Sequence, residues 1–352
     1  MKKSNLLFYV AFLAIFISSC TDDDNETKEP KGDYENGYFI TNEGPFQNGS
    51  GTLTFVGDGG PVSQNVYKTV NEADLGNIVN SMYISDDKAY IVVNNSNKVV
   101  MVNRFTMEKE DVIIGDDIYN PRYFVSDSGK GYISNWGDPF NTEDDFITVI
   151  SLANNEVLST IPVGEGPEKM LLDAGKLYVC LKGGYSQNNK VLVINTTNDS
   201  VESTLEVGDV PNSILLDRNA DIWVLCGGKP SYTGDETNGS LFKIEAFTNT
   251  VSSVDFNTVQ HPTLLNYEDE NLYYHLDGKV FRFGINDTSL PTEALSGLNG
   301  TYYEMNIHNG ELYATDAGDY ASEGTLKVFN LTSGDLMQTI STGIVPGQVV
   351  FP

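Results

Sequence analysis

Residues 167–211 read PEKMLLDAGKLYVCLKGGYSQNNKVLVINTTNDSVESTLEVGDVP, and this stretch decides the fold. It contains a Pro-led apolar run, a second run led by Tyr178, an alternating run from Val191 and a fourth run from Val201. Short apolar or alternating runs bounded by glycine and asparagine are typical of β-strands. Because the next proline, Pro211, then starts the same order again, the stretch predicts one four-stranded antiparallel sheet that is repeated along the chain.

The aromatic-led run of this unit recurs throughout the sequence. Seven copies begin at Tyr38, Tyr90, Tyr132, Tyr178, Trp223, Tyr273 and Tyr313, in steps of 40 to 52 residues. This period is that of a propeller blade, and stacking blades around an axis buries sheet faces that a lone blade would expose. No segment after Cys20 has sustained helical periodicity. The sequence therefore predicts an all-β, seven-bladed β-propeller over residues 36–352.

The two ends of this region predict how the ring closes. Tyr38 opens on what is the second strand of every other blade, so the first blade lacks its innermost strand. The chain ends with Pro346-Gly347-Gln348-Val349-Val350-Phe351, a Pro-led first strand with no second strand after it. We expect the C-terminal strand to complete the first blade and close the ring.

The N-terminal region is predicted to be an export and anchoring segment. Lys2 and Lys3 precede an apolar run too short to span a bilayer, which predicts a signal peptide over residues 1–19. Ser18-Ser19-Cys20 resembles a bacterial lipobox, in which the cysteine is lipidated; an ordinary signal peptide with a chance cysteine is the alternative. Residues 20–35 are acidic and polar, as expected of a solvated tether. They resemble the surface-export signal of Bacteroidetes lipoproteins, and a periplasmic spacer is the alternative.

The charge balance excludes several classes of partner. The 352 residues include 49 Asp and Glu against 21 Lys and Arg, a net charge of −28 that becomes −30 without residues 1–19. So acidic a protein repels phosphate backbones and anionic headgroups. We therefore expect no nucleic-acid partner, and a membrane contact through the lipid anchor only.

The loops at one rim are the predicted place of function, because loops on a rigid scaffold carry most binding sites. Long second-to-third-strand loops and the fourth-to-first-strand connections should emerge together and form a ring of aromatic and amide groups. Aromatic rings give contact area at low entropic cost, and amides fix orientation. The candidate ligand-binding residues are Phe46, Tyr119, Asn120, Asn135, Trp136, Phe140, Tyr185, Asn212, Tyr232, His261, Tyr302 and Tyr320. Packing of each aromatic ring on its own blade is the alternative.

The sequence offers little for catalysis or metal binding. It has no His-Glu-x-x-His, no Gly-x-Ser-x-Gly and no phosphate-binding glycine loop, and we expect the innermost strands to offer mainly Met, Ile, Leu and Val to the axis. Of three histidines, His261 alone is placed at the rim, where it could ligate a metal-centred ligand; hydrogen bonding is the more ordinary role. Cys180 and Cys226 are offset by one position in successive blades and should face opposite ways, as two buried free thiols rather than a disulfide.

One acidic loop could hold Ca²⁺, although its spacing matches no known calcium loop. A solvated acidic loop is the alternative that we favour, so we expect no metal site. The residues concerned are Asp138, Asn141, Glu143, Asp144 and Asp145.

The middle units resemble a known family. Leu177-Tyr178-Val179, Val193-Ile194-Asn195 and Val207-Gly208 before Pro211 resemble the surface-layer propeller family named for its Tyr-Val-Thr-Asn (YVTN) repeat. With the lipobox and the acidic tether, the architecture resembles the corrinoid-binding propeller lipoproteins of gut Bacteroidetes. That resemblance implies cobalamin as bound ligand, no intrinsic cofactor and no enzymatic activity. It also implies delivery to a TonB-dependent transporter and a lipid-anchored location on the outer face of the outer membrane. A propeller that binds a glycan or a protein partner without catalysis is the alternative.

Overall fold

A computed structural model describes residues 30–46, 48–138, 140–246 and 250–352. The predicted signal peptide, the lipidation site Cys20 and the tether as far as residue 29 lie outside the described residues. The last residues of the predicted tether contact the propeller: the Tyr34 N–H donates to the Phe105 carbonyl, and its ring packs edge-on against Phe55. Among the described residues, no helix is long and apolar enough to cross a membrane.

The strands form seven antiparallel sheets, which we call blades 1 to 7 in chain order. Blade 1 contains β1 (Gly37–Asn42), β2 (Thr52–Gly57), β3 (Val62–Ser63) and the C-terminal β27 (Pro346–Val350). Blade 2 contains β4 (Val79–Ser85), β5 (Lys88–Val93), β6 (Lys98–Asn103) and β7 (Lys109–Ile114). Blade 3 contains β8 (Pro121–Asp127), β9 (Lys130–Asn135), β10 (Phe146–Ser151) and β11 (Val157–Pro162). Blade 4 contains β12 (Pro167–Asp173), β13 (Lys176–Leu181), β14 (Lys190–Asn195) and β15 (Ser200–Glu206).

The last three blades follow the same order. Blade 5 contains β16 (Pro211–Leu216), β17 (Ile222–Cys226), β18 (Ser240–Ile244) and β19 (Val251–Asp255). Blade 6 contains β20 (Thr263–Glu268), β21 (Asn271–Leu276) and β22 (Lys279–Gly284). Blade 7 contains β23 (Met305–His308), β24 (Glu311–Asp316), β25 (Glu323–Asn330) and β26 (Leu336–Ile344). The described helices are α1 (Val66–Asn71) and two 3₁₀ turns, Asn94–Ser96 and Ser231–Thr233.

The predicted seven-bladed propeller is confirmed, and blade 6 varies the pattern. At the edge of β22, where other blades carry a fourth strand, blade 6 has an isolated bridge between Lys279 and Asn299. The segment that follows β22 contains Pro291, and proline cannot donate to a strand ladder.

Ring closure by the C-terminal strand is confirmed. β27 pairs antiparallel with β1, with Phe39 opposite Val350 and Ile40 opposite Val349. Val349 is 1 % exposed and lies in the apolar cluster between blades 1 and 7, with Ile40 and Leu326. The first and last strands of the propeller are thus adjacent in one sheet, which leaves no gap in the ring.

The core is divided among the spaces between blades. The cluster between blades 4 and 5 joins Tyr178 and Cys180 to Val224 and Cys226, and all four side chains are buried. The one-position offset of the two cysteines therefore directs them toward one shared space, because they belong to facing sheets. Both are free thiols, as predicted.

We predict that these two thiols do not react with a water-soluble disulfide reagent in the folded protein. Burial raises the pKa of the Cys180 thiol well above its usual value and that of Cys226 to about 12. The thiolate is the reactive form, so both should remain unmodified until the protein is unfolded. A colorimetric thiol assay on protein produced without residues 1–20 should count none before denaturant is added and two afterwards. Reaction of either thiol in the native protein would contradict this burial.

Candidate functional site

Three of the predicted loop aromatics converge on one cavity, which we call the aromatic basin. Its volume is about 500 Å³, and Phe46, Tyr119 and Tyr185 come to it from blades 1, 3 and 4 and their connections. Asn120, also predicted, lies between them. The remaining lining residues are Ile78, Asn94, Asn95, Asn97 and Gly137. The basin therefore combines aromatic surfaces with a group of amides, as expected of a site for an amphipathic ligand.

The aromatic side chains of this region are unusually exposed. Phe46 is 72 % exposed, Tyr185 is 68 % and the neighbouring Phe140 is 88 %. Large apolar groups that cluster in contact with water indicate an interaction surface, whereas single exposed apolar residues do not. The alternative for each of these aromatic rings was packing on its own blade. The exposure of these three rings does not fit that alternative.

Two further predicted residues extend the basin through Tyr185. Its ring centroid lies 6.0 Å from that of Trp136, edge-on, and 5.7 Å from that of Phe140. Two contacts hold Trp136 in place. Its indole N–H donates to the Pro167 carbonyl at 3.2 Å, and the Arg122 guanidinium lies 4.3 Å from the centre of its ring. The loops of blades 3 and 4 thus form one continuous aromatic surface.

The amides of the basin are held by one another. Asn94 donates from Nδ2 to the Asn120 side chain and, at 3.0 Å, to the Pro121 carbonyl, while Asn97 accepts the Asn120 N–H at 2.8 Å. Asn97 and Asn120 have left-handed backbones, with φ of 47° and 54°, which asparagine tolerates better than most residues. We did not predict Asn94, Asn95 and Asn97 as site residues from the sequence. The pattern that could have indicated them is the Asn-Asn-Ser-Asn turn between two strands.

The other candidates lie elsewhere. Asn135 is 0 % exposed and Tyr302 is 7 % exposed, so both are structural rather than loop-face residues. Asn135 is buried because its amide donates to the Ile133 carbonyl and Thr148 and accepts the Tyr119 N–H. Tyr302 packs at 5.0 Å against His275 inside its cluster. Tyr232 is 81 % exposed and belongs to the blade 5 loop, outside the lining of the basin.

Three candidates remain to be placed. Asn212 lines the central cavity described below and donates to the Pro262 carbonyl at 2.9 Å. Tyr320 packs edge-on against Tyr303 at 5.8 Å. Both ring nitrogens of His261 are engaged, at 2.8 Å from the Gly227 carbonyl and 3.1 Å from Glu236. His261 lies outside the lining of the basin.

A second cavity, of about 320 Å³, lies on the propeller axis, and its polarity corrects a sequence-based expectation. We expected Met, Ile, Leu and Val at the axis, but charged and amide side chains dominate the lining. Six of the seven inner strands, all except β23, begin with a register shift, such as that between Pro167 and Met170 in β12. This bulge turns the residue after the proline, Glu168, toward the axis. Arg122 of β8 and Asn212 of β16 occupy the same position.

Ion pairs connect the walls of this central cavity. Arg122 and Glu168 of neighbouring blades are 3.1 Å apart and largely buried. Lys169 of blade 4 lies 3.7 Å from Glu304 beside blade 7, so this pair spans the axis. Burial opposes the charge on Arg122, but Glu168, together with Tyr123 and Glu43, outweighs it and the pKa of the guanidinium is raised.

Three side chains of the acidic loop considered for calcium accept hydrogen bonds from backbone N–H groups of the same loop. Asp138 accepts the Phe140 N–H, Asn141 accepts the Glu143 N–H, and Asp144 accepts the Asp138 N–H. Over the described ranges, no group of three or more His, Cys, Asp or Glu side chains is arranged to hold a metal ion.

We predict that Asp145 makes the protein less stable as the pH rises from about 4 to 7. Asp145 is 3 % exposed and its carboxylate accepts the Gly166 N–H, which joins the loop that carries Phe140 to the connection between β11 and β12. Burial raises its pKa to about 7, although that hydrogen bond opposes the shift. When the pKa of a carboxyl group is higher in the folded than in the unfolded protein, the group stabilises the fold at pH values below its unfolded pKa. This stabilisation is lost as the pH rises through the folded pKa. Asp145→Asn should therefore flatten this slope and be more stable than wild type at pH 8, by a few kcal/mol.

Urea denaturation of both proteins at closely spaced pH values tests this prediction. The difference between the two stability curves isolates Asp145 from the many other carboxylates. Parallel curves across this range would show that the Asp145 carboxyl titrates at an ordinary pKa.

Comparison with known proteins supports the architecture. A search of curated protein sequences found no match to the chain. Among solved structures, a quinoprotein alcohol dehydrogenase-like protein from Bacteroides thetaiotaomicron has a TM-score of 0.66 at 15 % identity, over 90 % of this chain and 78 % of that one. Hydrazine synthase from Kuenenia stuttgartiensis has a TM-score of 0.59 at 15 % identity, covering 83 % and 90 %. BamB from Moraxella catarrhalis has a TM-score of 0.54 at 13 % identity, covering 89 % and 84 %.

At such low identity these likenesses establish the fold alone. A family sequence model described as a domain of unknown function, DUF5074, matches residues 36–343, which is nearly the whole propeller. The chain belongs to the DUF5074 family.

Proposed function

We propose that this propeller captures a corrinoid such as cobalamin at the aromatic basin, without catalysis. The observation that carries the proposal is the convergence of Phe46, Tyr119 and Tyr185 on a cavity of about 500 Å³ that four asparagines also line. A corrinoid is large, amphipathic and fringed with amides, so aromatic faces can cover its apolar surface while asparagine side chains pair with its amides. The basin groups are neutral, which suits the binding of such a molecule better than proton transfer.

The anchoring part of the proposal comes from the sequence. Lipidation at Cys20 and the acidic residues that follow would hold the propeller on the outer face of the outer membrane, where it would meet external ligand first. We propose that it then passes the corrinoid to a TonB-dependent transporter in the same membrane.

A glycan is the second candidate ligand. Phe140 and Tyr185 present two neighbouring exposed rings, tilted by 35°, and exposed rings of this kind also stack on sugars.

Calorimetry separates these candidates. Cyanocobalamin is titrated into the purified protein lacking the signal peptide, and the mixture is then passed over a size-exclusion column. We expect the heat of binding to saturate during the titration and the corrinoid to co-elute with the protein at micromolar concentration. No heat and no co-elution would overturn corrinoid capture, and binding on a glycan array in that case would favour the second candidate.

A further inference from the structure

Two opposite charges occupy equivalent positions at the mouth of the central cavity. Glu43 and Lys182 are each the first residue after the second strand of a blade, β1 and β13. Each donates its backbone N–H to the residue that precedes the proline of the inner strand, Val345 at 2.9 Å and Gly166 at 2.8 Å. The repeat itself therefore fixes both side chains at the same height, and both line the cavity.

Among the described residues, neither of these two charges has an ion-pair partner. In the part of the chain that the structure describes, Lys182 Nζ has neither an ion pair nor a hydrogen bond. Glu43 accepts a hydrogen bond from the Tyr303 hydroxyl at 2.6 Å, but no cation of residues 30–46, 48–138, 140–246 or 250–352 lies within ion-pair distance of it. Burial raises the pKa of Glu43, although the Tyr303 hydroxyl and the more distant Arg122 guanidinium oppose the shift. By contrast, Arg122 and Lys169 are matched by acidic partners.

The two charges lie on opposite sides of the propeller axis. Blades 1 and 4 are three positions apart, which is the largest separation in a ring of seven. The wall of the cavity also carries amides, including Asn80, Asn212 and Gln348. The cavity volume of about 320 Å³ is at the lower end of the range for ligand pockets, so it suits a small molecule.

We propose that the central cavity binds a small zwitterion, such as a free amino acid or short peptide, with its carboxylate at Lys182 and its ammonium group at Glu43. Such a molecule supplies the counter-charge that each side chain lacks, and the amides of the wall satisfy its peptide groups. This site is separate from the aromatic basin and does not depend on the identity of the ligand bound there.

A series of glycine oligomers tests the proposal. Glycine, diglycine and triglycine, each free, N-acetylated or C-amidated, are titrated by ligand-observed NMR at millimolar concentration. We expect one free oligomer to bind, and each of its singly blocked forms to bind at least about tenfold more weakly, since each lacks one charge-assisted hydrogen bond. If no free oligomer binds, or if the blocked forms bind equally well, the proposal is wrong.

Two substitutions identify the ends of the site. Lys182→Gln should abolish the preference for a free carboxylate, and Glu43→Gln the preference for a free ammonium group, while the glutamine oxygen still accepts from Tyr303. Lys190→Gln and Glu323→Gln are matched charge controls, because neither residue lines the cavity. Tyr185→Ala should leave zwitterion binding unchanged. Equal selectivity in all the folded variants would overturn the assignment of the two ends.

Discussion

Val349→Asp should prevent the propeller from folding cooperatively at ordinary temperature. Val349 is 1 % exposed in the closing strand β27 and packs between blades 1 and 7. A carboxylate there has no partner, and burying it unpaired costs about 4 kcal/mol or more, a large part of the whole stability of a domain. Because β27 joins the two ends of the ring, the loss also opens the ring. Circular dichroism melting of the soluble fraction measures the effect.

Met337→Asp is the matched control for this substitution. Met337 is also apolar and lies in the adjacent blade 7, but it is 55 % exposed on the outermost strand β26. The charge there remains in water, so we expect a melting temperature close to that of wild type. Equal destabilisation by both substitutions, or a stable cooperative Val349→Asp protein, would contradict closure by β27 as the stabilising feature.

Replacement of both Phe140 and Tyr185 by alanine should weaken corrinoid binding by about a hundredfold. The two rings are 5.7 Å apart and are 88 % and 68 % exposed, so they are available as contact surface in the free protein. Loss of two well-placed aromatic contacts is worth about 3 kcal/mol, which corresponds to that factor in affinity. Calorimetric titration with cyanocobalamin gives the affinities.

Tyr232→Ala is the control for this second prediction. Tyr232 is as exposed as the basin aromatics, at 81 %, but it lies on the blade 5 loop outside the basin. Its removal should leave the affinity within about twofold of wild type. An equal loss in Tyr232→Ala would show that the ligand also contacts the blade 5 loop outside the basin, and full affinity in the double variant would show that the ligand does not bind at the basin.

The fold could be predicted because its determinants are local and repeated. Six of the seven aromatic-led strands, for example β9 with Tyr132 and β13 with Tyr178, supply a buried ring at the same place in their blade, and Tyr38 of β1 is half-buried. The first blade lacked its inner strand and the chain ended with an extra one, which predicted that the two ends pair and close the ring. Blade 6 departs from the repeat because an isolated bridge replaces its fourth strand. The alternation of apolar and polar residues does not predict whether a segment pairs as a strand or forms a single bridge.

The candidate site could be predicted only in part. Phe46 and Tyr185 could be predicted because they are aromatic residues on long loops, where no strand pattern accounts for an aromatic side chain. Asn135 was misplaced because its position at the end of a strand resembles a loop, whereas three hydrogen bonds hold it inside. The charged axis was missed because a bulge turns the residue after each inner proline, such as Glu168, away from the alternation of a regular strand.

Fluorescence of Trp136 tests the central claim most directly. The chain has two tryptophans: Trp136 contacts Tyr185 beside the basin, while Trp223 is 3 % exposed between blades. Titration with cyanocobalamin, corrected for absorption with free tryptophan, should quench wild type saturably. Trp136→Phe, which retains only Trp223, should lose most of that change. Saturable binding by calorimetry with Trp136 emission unaltered would show that the ligand binds away from the aromatic basin.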